Sequence, residues 1–138
     1  MKYTEGYWLR KESVQASFAS QAFRVRPILN GMRVTAPERP ILSRADALDQ
    51  TVLTIDFVCA GHNDIEVTLY HDMGYDSGEP RFPLNRQPEP VEVTIGEDEA
   101  VMTAGQITVR VDRKTCAYRF EADGKLLTGS GFRNTGYL

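Results

Sequence analysis

The sequence predicts an all-β fold in which antiparallel strands pack as a β-sandwich. Three observations lead to this prediction. First, apolar and polar residues alternate in several short segments, which is the pattern of strands with one buried face. Second, an Asn-Gly pair and an Asp-Gly pair separate such segments, and these pairs favour tight hairpin turns. Third, no segment has the periodicity and length of a stable helix, so sequential strands with short turns are expected.

The clearest strands form a predicted β-meander between Val91 and Thr128. Its alternating segments are residues 91–95, 107–111 and 117–122. The Asp123-Gly124 turn then joins the last of these to residues 125–128. One face of this meander is expected to pack on the core. The acidic residues 97–99 are expected to form a solvated turn.

The first half of the chain predicts further strands. Residues 13–18 show a weak alternation, and two β-like segments flank Asn30-Gly31. Pro27 lacks an amide hydrogen, so its strand is expected at an edge or at a bulge. Residues 43–49 are too short for an independent helix, and we interpret them as a loop.

Two strictly alternating segments, residues 51–59 and 65–71, are predicted to form the centre of a sheet. The inward positions of the first are Leu53, Ile55, Phe57 and Cys59. In the second, Ile65, Val67 and Leu69 are expected to face inward.

Composition limits the classes of function. The chain has 138 residues, 41% of them hydrophobic and 25% charged, as expected for one globular domain spanning residues 1–138. The net charge is −3 and no basic stripe is present, which argues against a nucleic-acid partner.

No apolar run has membrane-spanning length, and the first residues lack the apolar core of a secretory signal, so a cytoplasmic protein without a membrane partner is expected. Cys59 and Cys116 are then expected to be thiols, with Cys59 buried; a disulfide is the alternative.

Candidate catalytic groups are few. His71 precedes Asp72, and such a pair could act as a base with an orienting group, but no motif marks a nucleophile beside it. We therefore interpret His71 as a structural residue and His62 as an exposed one. Two cysteines and two scattered histidines do not have metal-ligand spacing, so neither a metal nor another cofactor is expected.

The segment from Asp72 to Pro90 is the best candidate for a binding surface. It is longer than ordinary connections and contains four prolines and two glycines. Tyr75 and Phe82 could offer flat faces to a sugar ring or to another protein surface, with Arg81 beside them. These three residues are the predicted contact site.

Several segments also resemble one known family. They are Met1-Lys-Tyr-Thr-Glu-Gly-Tyr-Trp-Leu9, Ala36-Pro37, Gly78-Glu-Pro-Arg-Phe-Pro-Leu84, Lys125-Leu-Leu-Thr-Gly-Ser130 and Asn134-Thr-Gly-Tyr137. In this order they resemble the N-terminal β-sandwich of family 31 glycoside hydrolases, of the bacterial α-xylosidase type. The resemblance implies a galactose-mutarotase-like supersandwich that precedes a catalytic (β/α)8 barrel. The final residues end without closing a strand pattern, so a truncated domain is expected, with the barrel downstream.

The resemblance carries no catalytic residue to this chain. In the family the barrel holds an Asp nucleophile, in a Trp-x-Asp-Met motif, and an Asp acid/base. Here His71-Asp-Met73 lacks the tryptophan and follows a strand of the sandwich. The chain alone is therefore expected to be inactive. The implied partners are its own barrel and the oligosaccharide substrate of the parent enzyme, with a homo-oligomer as a further possibility.

Two alternatives of other classes stay open. The chain could be a free-standing carbohydrate-binding β-sandwich, or a small mutarotase-like enzyme, which its length and its two histidines disfavour.

Overall fold

The fold was derived from a computed structural model that describes residues 2, 9–72 and 85–138. The β-strands in these ranges are Ser17–Phe18 (β1), Arg24–Ile28 (β2), Gly31–Pro37 (β3), Val52–Gly61 (β4), Asp64–Tyr70 (β5), Val91–Ile95 (β6), Glu99–Ala104 (β7), Ile107–Asp112 (β8), Tyr118–Ala122 (β9), Lys125–Ser130 (β10) and Gly136–Tyr137 (β11). A short 3-10 helix spans Arg44–Ala47. Within these ranges no helix is long and apolar enough to cross a membrane.

The strands form three antiparallel sheets. Strands β2 to β5 form a four-stranded sheet and β6 to β10 a five-stranded sheet, each in simple sequence order. Strands β1 and β11 pair separately, with Ser17 opposite Tyr137. The five-stranded sheet is the predicted meander, and the all-β sandwich is confirmed.

The core lies between the two larger sheets. Strand β4 buries its alternating residues completely, and Phe57 is the largest of the fully buried side chains. Its ring lies 5.2 Å from that of Tyr118 in an edge-to-face arrangement and 6.3 Å from that of Phe120. These contacts join the centre of one sheet to β9 of the other. The remaining core side chains come chiefly from β3, β7 and β8, including Met32, Val34, Met102, Val109 and Val111.

Ion pairs occupy several outward positions of both large sheets. On β3 and β4, Arg33 and Asp56 lie opposite each other and form two hydrogen bonds of 2.6 Å each. On β7 to β9, two arginines alternate with two glutamates, namely Arg110, Arg119, Glu99 and Glu121, in a network of contacts between 2.7 and 3.0 Å. The charges balance within this network, so it does not offer a site for a charged partner.

The two predicted hairpins differ in outcome. Asp123 and Gly124 have φ angles of 50° and 72°, as a type I′ turn requires, so this turn is confirmed. The first hairpin turns one residue earlier than predicted, because Gly31 already pairs with Ile28 and Asn30 supplies the positive φ of 53°. A Cβ atom on Gly31 would overlap with the carbonyl oxygen of Phe57. This glycine therefore allows β3 and β4 to approach, rather than forming the turn.

Strand β7 was not predicted, and Glu99 was wrongly assigned to a turn. Glu99 begins β7 and pairs with Asp112 of β8. The inward residues of β7 are Ala100, Met102 and Ala104, all fully buried. Two alanines give little hydrophobic contrast, so the alternation of this strand is weak in the sequence although its burial is complete.

Three smaller predictions also have clear outcomes. Strand β2 is an edge strand, as Pro27 indicated. The predicted loop at residues 43–49 is wrong in part, because a capping box between Ser43 and Asp46 stabilises the 3-10 turn. Strand β4 is interior, but β5 lies at the edge of the described sheet, where Val67 stays 39% exposed. Alternation shows which face is buried and does not show which strands are neighbours.

Candidate functional site

A cleft lies at the end of the sandwich where the first and last described strands meet. The pairing of β1 with β11 brings Tyr137 next to His71, which follows β5, and next to Thr51, which precedes β4. The cleft has a volume of about 350 Å³. This is the lower part of the range for small-molecule sites in proteins.

One wall of the cleft is flat. The rings of His71 and Tyr137 stack in parallel, with centroids 4.1 Å apart and planes 7° from each other. The amino group of Lys2 lies 5.9 Å from the centroid of Tyr137 and donates a hydrogen bond of 2.6 Å to the carbonyl of Leu138. Tyr137 stays 47% exposed. The wall therefore combines an aromatic surface with a nearby cation.

The rest of the lining combines uncharged polar residues with the apolar residues Val14 and Leu138. Ser17 donates a hydrogen bond to the hydroxyl of Thr51 across 3.1 Å, and Ser13 and Gln15 lie beside them. A wider groove of about 620 Å³ continues from the cleft and shares Gln15, Thr51 and His71 with it. That groove adds the side chains of Glu38, Asp49, Gln50, Val52 and Asp72.

This arrangement can bind hydrogen-bonding ligands, and it does not contain a catalytic constellation. Within the described ranges, His71 makes no hydrogen bond to Asp72 or to a hydroxyl or thiol that could act as a nucleophile. His71 instead stacks on Tyr137, and its interpretation as a structural residue stays a prediction. No group of three potential metal ligands occurs in the part of the chain that the structure describes.

A second polar cluster lies at the opposite end of the sandwich, around Glu89. The Nδ1 atom of His62 is 2.5 Å from one oxygen of the Glu89 carboxylate, and the backbone amide of Asn63 donates to the other across 3.3 Å. The side chain of Asn63 accepts a hydrogen bond of 2.8 Å from the amide of Gln106. His62 is 80% exposed, as predicted, but its pairing with Glu89 was not predicted. The cluster joins the β4–β5 turn to the segment before β6 and to the β7–β8 turn.

Replacing Glu89 with glutamine should destabilise the chain in a pH-dependent way. The hydrogen bond with His62, followed by that from Asn63, holds the pKa of Glu89 below its ordinary value of 4.5. A lowered folded-state pKa means that the stabilisation is present above the unfolded-state pKa and is lost as the pH falls through the folded-state value. In urea unfolding we expect E89Q to have a lower midpoint than the wild type at pH 7, and the difference to shrink as the pH falls below 4.5 and to vanish below the folded-state pKa of Glu89.

The matched control for this prediction is E92Q, because Glu92 is an exposed carboxylate on β6. We expect its unfolding midpoint to follow the wild type at every pH. Equal midpoints for E89Q and E92Q at pH 7 would contradict a stabilising role for the Glu89 cluster.

Both cysteines are free thiols and Cys59 is buried, as predicted, and Cys116 is buried as well. Burial, with a smaller contribution from the charge of Asp112, raises the pKa of Cys116 to about 12. The sulfur of Cys59 accepts a hydrogen bond of 3.2 Å from the amide of Glu89 and contacts the carbonyl of Gly61. A buried thiol with a raised pKa is a poor nucleophile, so Cys116 does not fit a catalytic role.

The predicted contact residues Tyr75, Arg81 and Phe82 lie outside the described residues, as does Trp8. Their assignment as a carbohydrate or interface contact stays a prediction. Conversely, sequence reasoning missed the cleft, because its walls come from distant segments that only the β1–β11 pairing brings together. Neither Gln15 nor Thr51 belongs to a recognisable motif.

Comparison with known proteins indicates a relation to a glycosidase. No protein-family model matches the chain. Among curated proteins, the chain is similar to alpha-xylosidase XylQ from Lactiplantibacillus pentosus, with 30% identity over 135 residues. The similarity covers 94% of this chain, which spans only 17% of the length of XylQ. This distant and partial similarity indicates a glycosidase-related domain.

Proposed function

We propose that residues 1–138 form the non-catalytic N-terminal β-sandwich domain of a retaining α-glycosidase, of the α-xylosidase or α-glucosidase type. The observation that carries this proposal is the similarity to XylQ, which extends along nearly the whole chain but covers a small part of XylQ. A domain of a larger enzyme fits such a match. The finer assignment to family 31, with a galactose-mutarotase-like sandwich, belongs to this proposal.

The chemistry of the parent enzyme would belong to a catalytic barrel elsewhere in the polypeptide. Retention at the anomeric carbon needs two carboxyl groups about 5–5.5 Å apart on opposite sides of the sugar ring. The sandwich would pack on that barrel and contribute loops near the mouth of its active site. The substrate would be an α-linked oligosaccharide, and the parent enzyme could assemble as a homo-oligomer.

Two free thiols support a cytoplasmic location for the parent enzyme. Cys59 and Cys116 are both unpaired and buried. Proteins of oxidising compartments commonly use cysteines in disulfides, whereas the cytoplasm keeps them reduced.

The second candidate is a free-standing carbohydrate-binding module. The observation that favours it is the cleft beside the stacked rings of His71 and Tyr137, where hydroxyl and amide side chains lie next to a flat wall. A module of this kind would need no catalytic barrel.

Hydrolysis of aryl glycosides tests the first proposal. The 138-residue chain and the product of the complete reading frame are assayed with p-nitrophenyl α-xyloside and α-glucoside, and with the β-xyloside as a control. We expect the complete product to hydrolyse at least one α-glycoside and the chain alone to hydrolyse none. Hydrolysis by the chain alone, or a complete reading frame without a barrel, would overturn the proposal.

A further inference from the structure

We propose that the cleft between β1, β11 and the adjoining ends of β4 and β5 is a binding site for one neutral sugar ring. Neither the similarity to XylQ nor the described geometry of the chain assigns a ligand to this cleft. The lining, the charge and the shape of the cleft support this inference, which rests on the proposed function only for the choice of sugars that are tested.

The lining matches the hydrogen-bonding capacity of a polyol. Each sugar hydroxyl can both donate and accept a hydrogen bond, and so can the hydroxyls of Ser13 and Thr51 and the amide of Gln15. The adjoining groove adds the carboxylates of Glu38 and Asp72, which accept strong hydrogen bonds from hydroxyl groups. A sugar ring in the cleft could therefore exchange hydrogen bonds with water for hydrogen bonds with protein donors and acceptors.

The stacked rings provide the apolar part of such a site. One side of a pyranose presents mainly C–H groups, and a flat ring is a surface on which these can pack. Tyr137 retains 47% of its surface exposed, so part of this residue is accessible to a ligand. Its orientation is held by the parallel contact with His71 at 4.1 Å and by the pairing of β11 with β1. Preorganisation of this kind lowers the entropic cost of binding.

Charge and size select a neutral ligand of limited length. Lys2 lines the cleft itself, whereas Glu38, Asp49 and Asp72 line the adjoining groove. An anionic ligand that extends into the groove would meet these three acidic residues. The volume of about 350 Å³ suits one ring, and the groove of about 620 Å³ leaves room for the linked residue of a disaccharide. The site would then hold the end of a short, neutral oligosaccharide.

The test is an NMR titration of the ¹⁵N-labelled 138-residue chain with xylose, glucose, maltose and glucuronate. We expect saturable shifts that cluster around Gln15, Thr51, His71 and Tyr137 for the neutral sugars. Binding of glucuronate should be no tighter than that of glucose, because the cation of Lys2 in the cleft is offset by the acidic residues of the adjoining groove. Shifts that are absent, or that cluster away from the cleft, would overturn the proposal.

Two variants separate binding from folding. Q15A removes hydrogen-bonding groups and H71A removes half of the stacked wall, so each should weaken binding about tenfold, the effect of one or two lost contacts. L29A is the control, because Leu29 is 85% exposed at the opposite end of the sandwich. Spectra without sugar should be unchanged away from each substituted residue. Wild-type affinity in both Q15A and H71A would contradict the proposed site.

The outcomes also separate this inference from the proposed function. Sugar binding by a chain whose reading frame lacks a barrel would support the cleft and the free-standing module, and would reject the accessory domain. An active α-glycosidase whose 138-residue domain shows no sugar-dependent shifts would support the accessory domain and reject the cleft.

Discussion

Replacement of Phe57 by alanine is expected to lower the free energy of unfolding by about 3–5 kcal/mol, the usual cost of removing a buried phenylalanine. Phe57 is fully buried in β4 and contacts the rings of Tyr118 and Phe120 in the opposite sheet. The substitution removes apolar burial and leaves a cavity at the contact between the sheets. Small domains have stabilities of about 5–15 kcal/mol, so F57A should lose a large part of this margin.

Urea unfolding, followed by circular dichroism, measures this loss. F23A is the matched control, because Phe23 is 44% exposed and loses the same atoms on substitution. If F57A is too unstable for a complete curve, F57L preserves part of the side chain and should give an intermediate midpoint. Equal midpoints for F57A and F23A would contradict the central position of Phe57 in the core.

Replacement of Gly31 by alanine is expected to cost roughly 3 kcal/mol, the upper end of the usual range for overpacking. The added Cβ would overlap with the carbonyl oxygen of Phe57 and lie 3.0 Å from the Cα of Val58. These are backbone atoms of the paired strand, so they cannot rotate away as a side chain could. To relieve this overlap, β3 and β4 must separate, which weakens the hydrogen bonds between the two strands.

The control for this substitution is G61A, in the same sheet. A Cβ on Gly61 would have its nearest neighbours at 3.9 Å, an ordinary contact distance. We expect the unfolding midpoint of G61A to stay close to that of the wild type while that of G31A falls. The interpretation of Gly31 as a close-approach residue would be wrong if both variants unfolded at the same urea concentration.

The strands with strong hydrophobic contrast could be predicted from the sequence. In β4 a large apolar residue occupies every second position, so the alternation is unmistakable and its burial follows. Strand β7 has the same burial but uses Ala100 and Ala104, whose small side chains give a weak signal. Sequence pattern therefore detects strands by the size of their inward residues, and it misses a strand whose inward residues are small.

Neighbour relations and sites depend on contacts that pattern does not encode. The exposed fraction of Val67 reflects the edge position of β5, which alternation alone cannot reveal. The pairing of His62 with Glu89 likewise joins residues from two separate segments. The cleft is the clearest case, because Gln15, Thr51 and Tyr137 become neighbours only after both sheets have formed.

The pairing of β1 with β11 has a consequence for the order of folding. Joining Ser17 to Tyr137 closes a loop that contains both large sheets, whereas most other strand pairs join consecutive segments. Contacts between distant segments form slowly because the entropy of loop closure must be overcome first. The sandwich can therefore assemble from its hairpins before the cleft exists. A ligand held in the cleft would stabilise the chain in which β1 and β11 are paired, and not a chain that lacks this pairing.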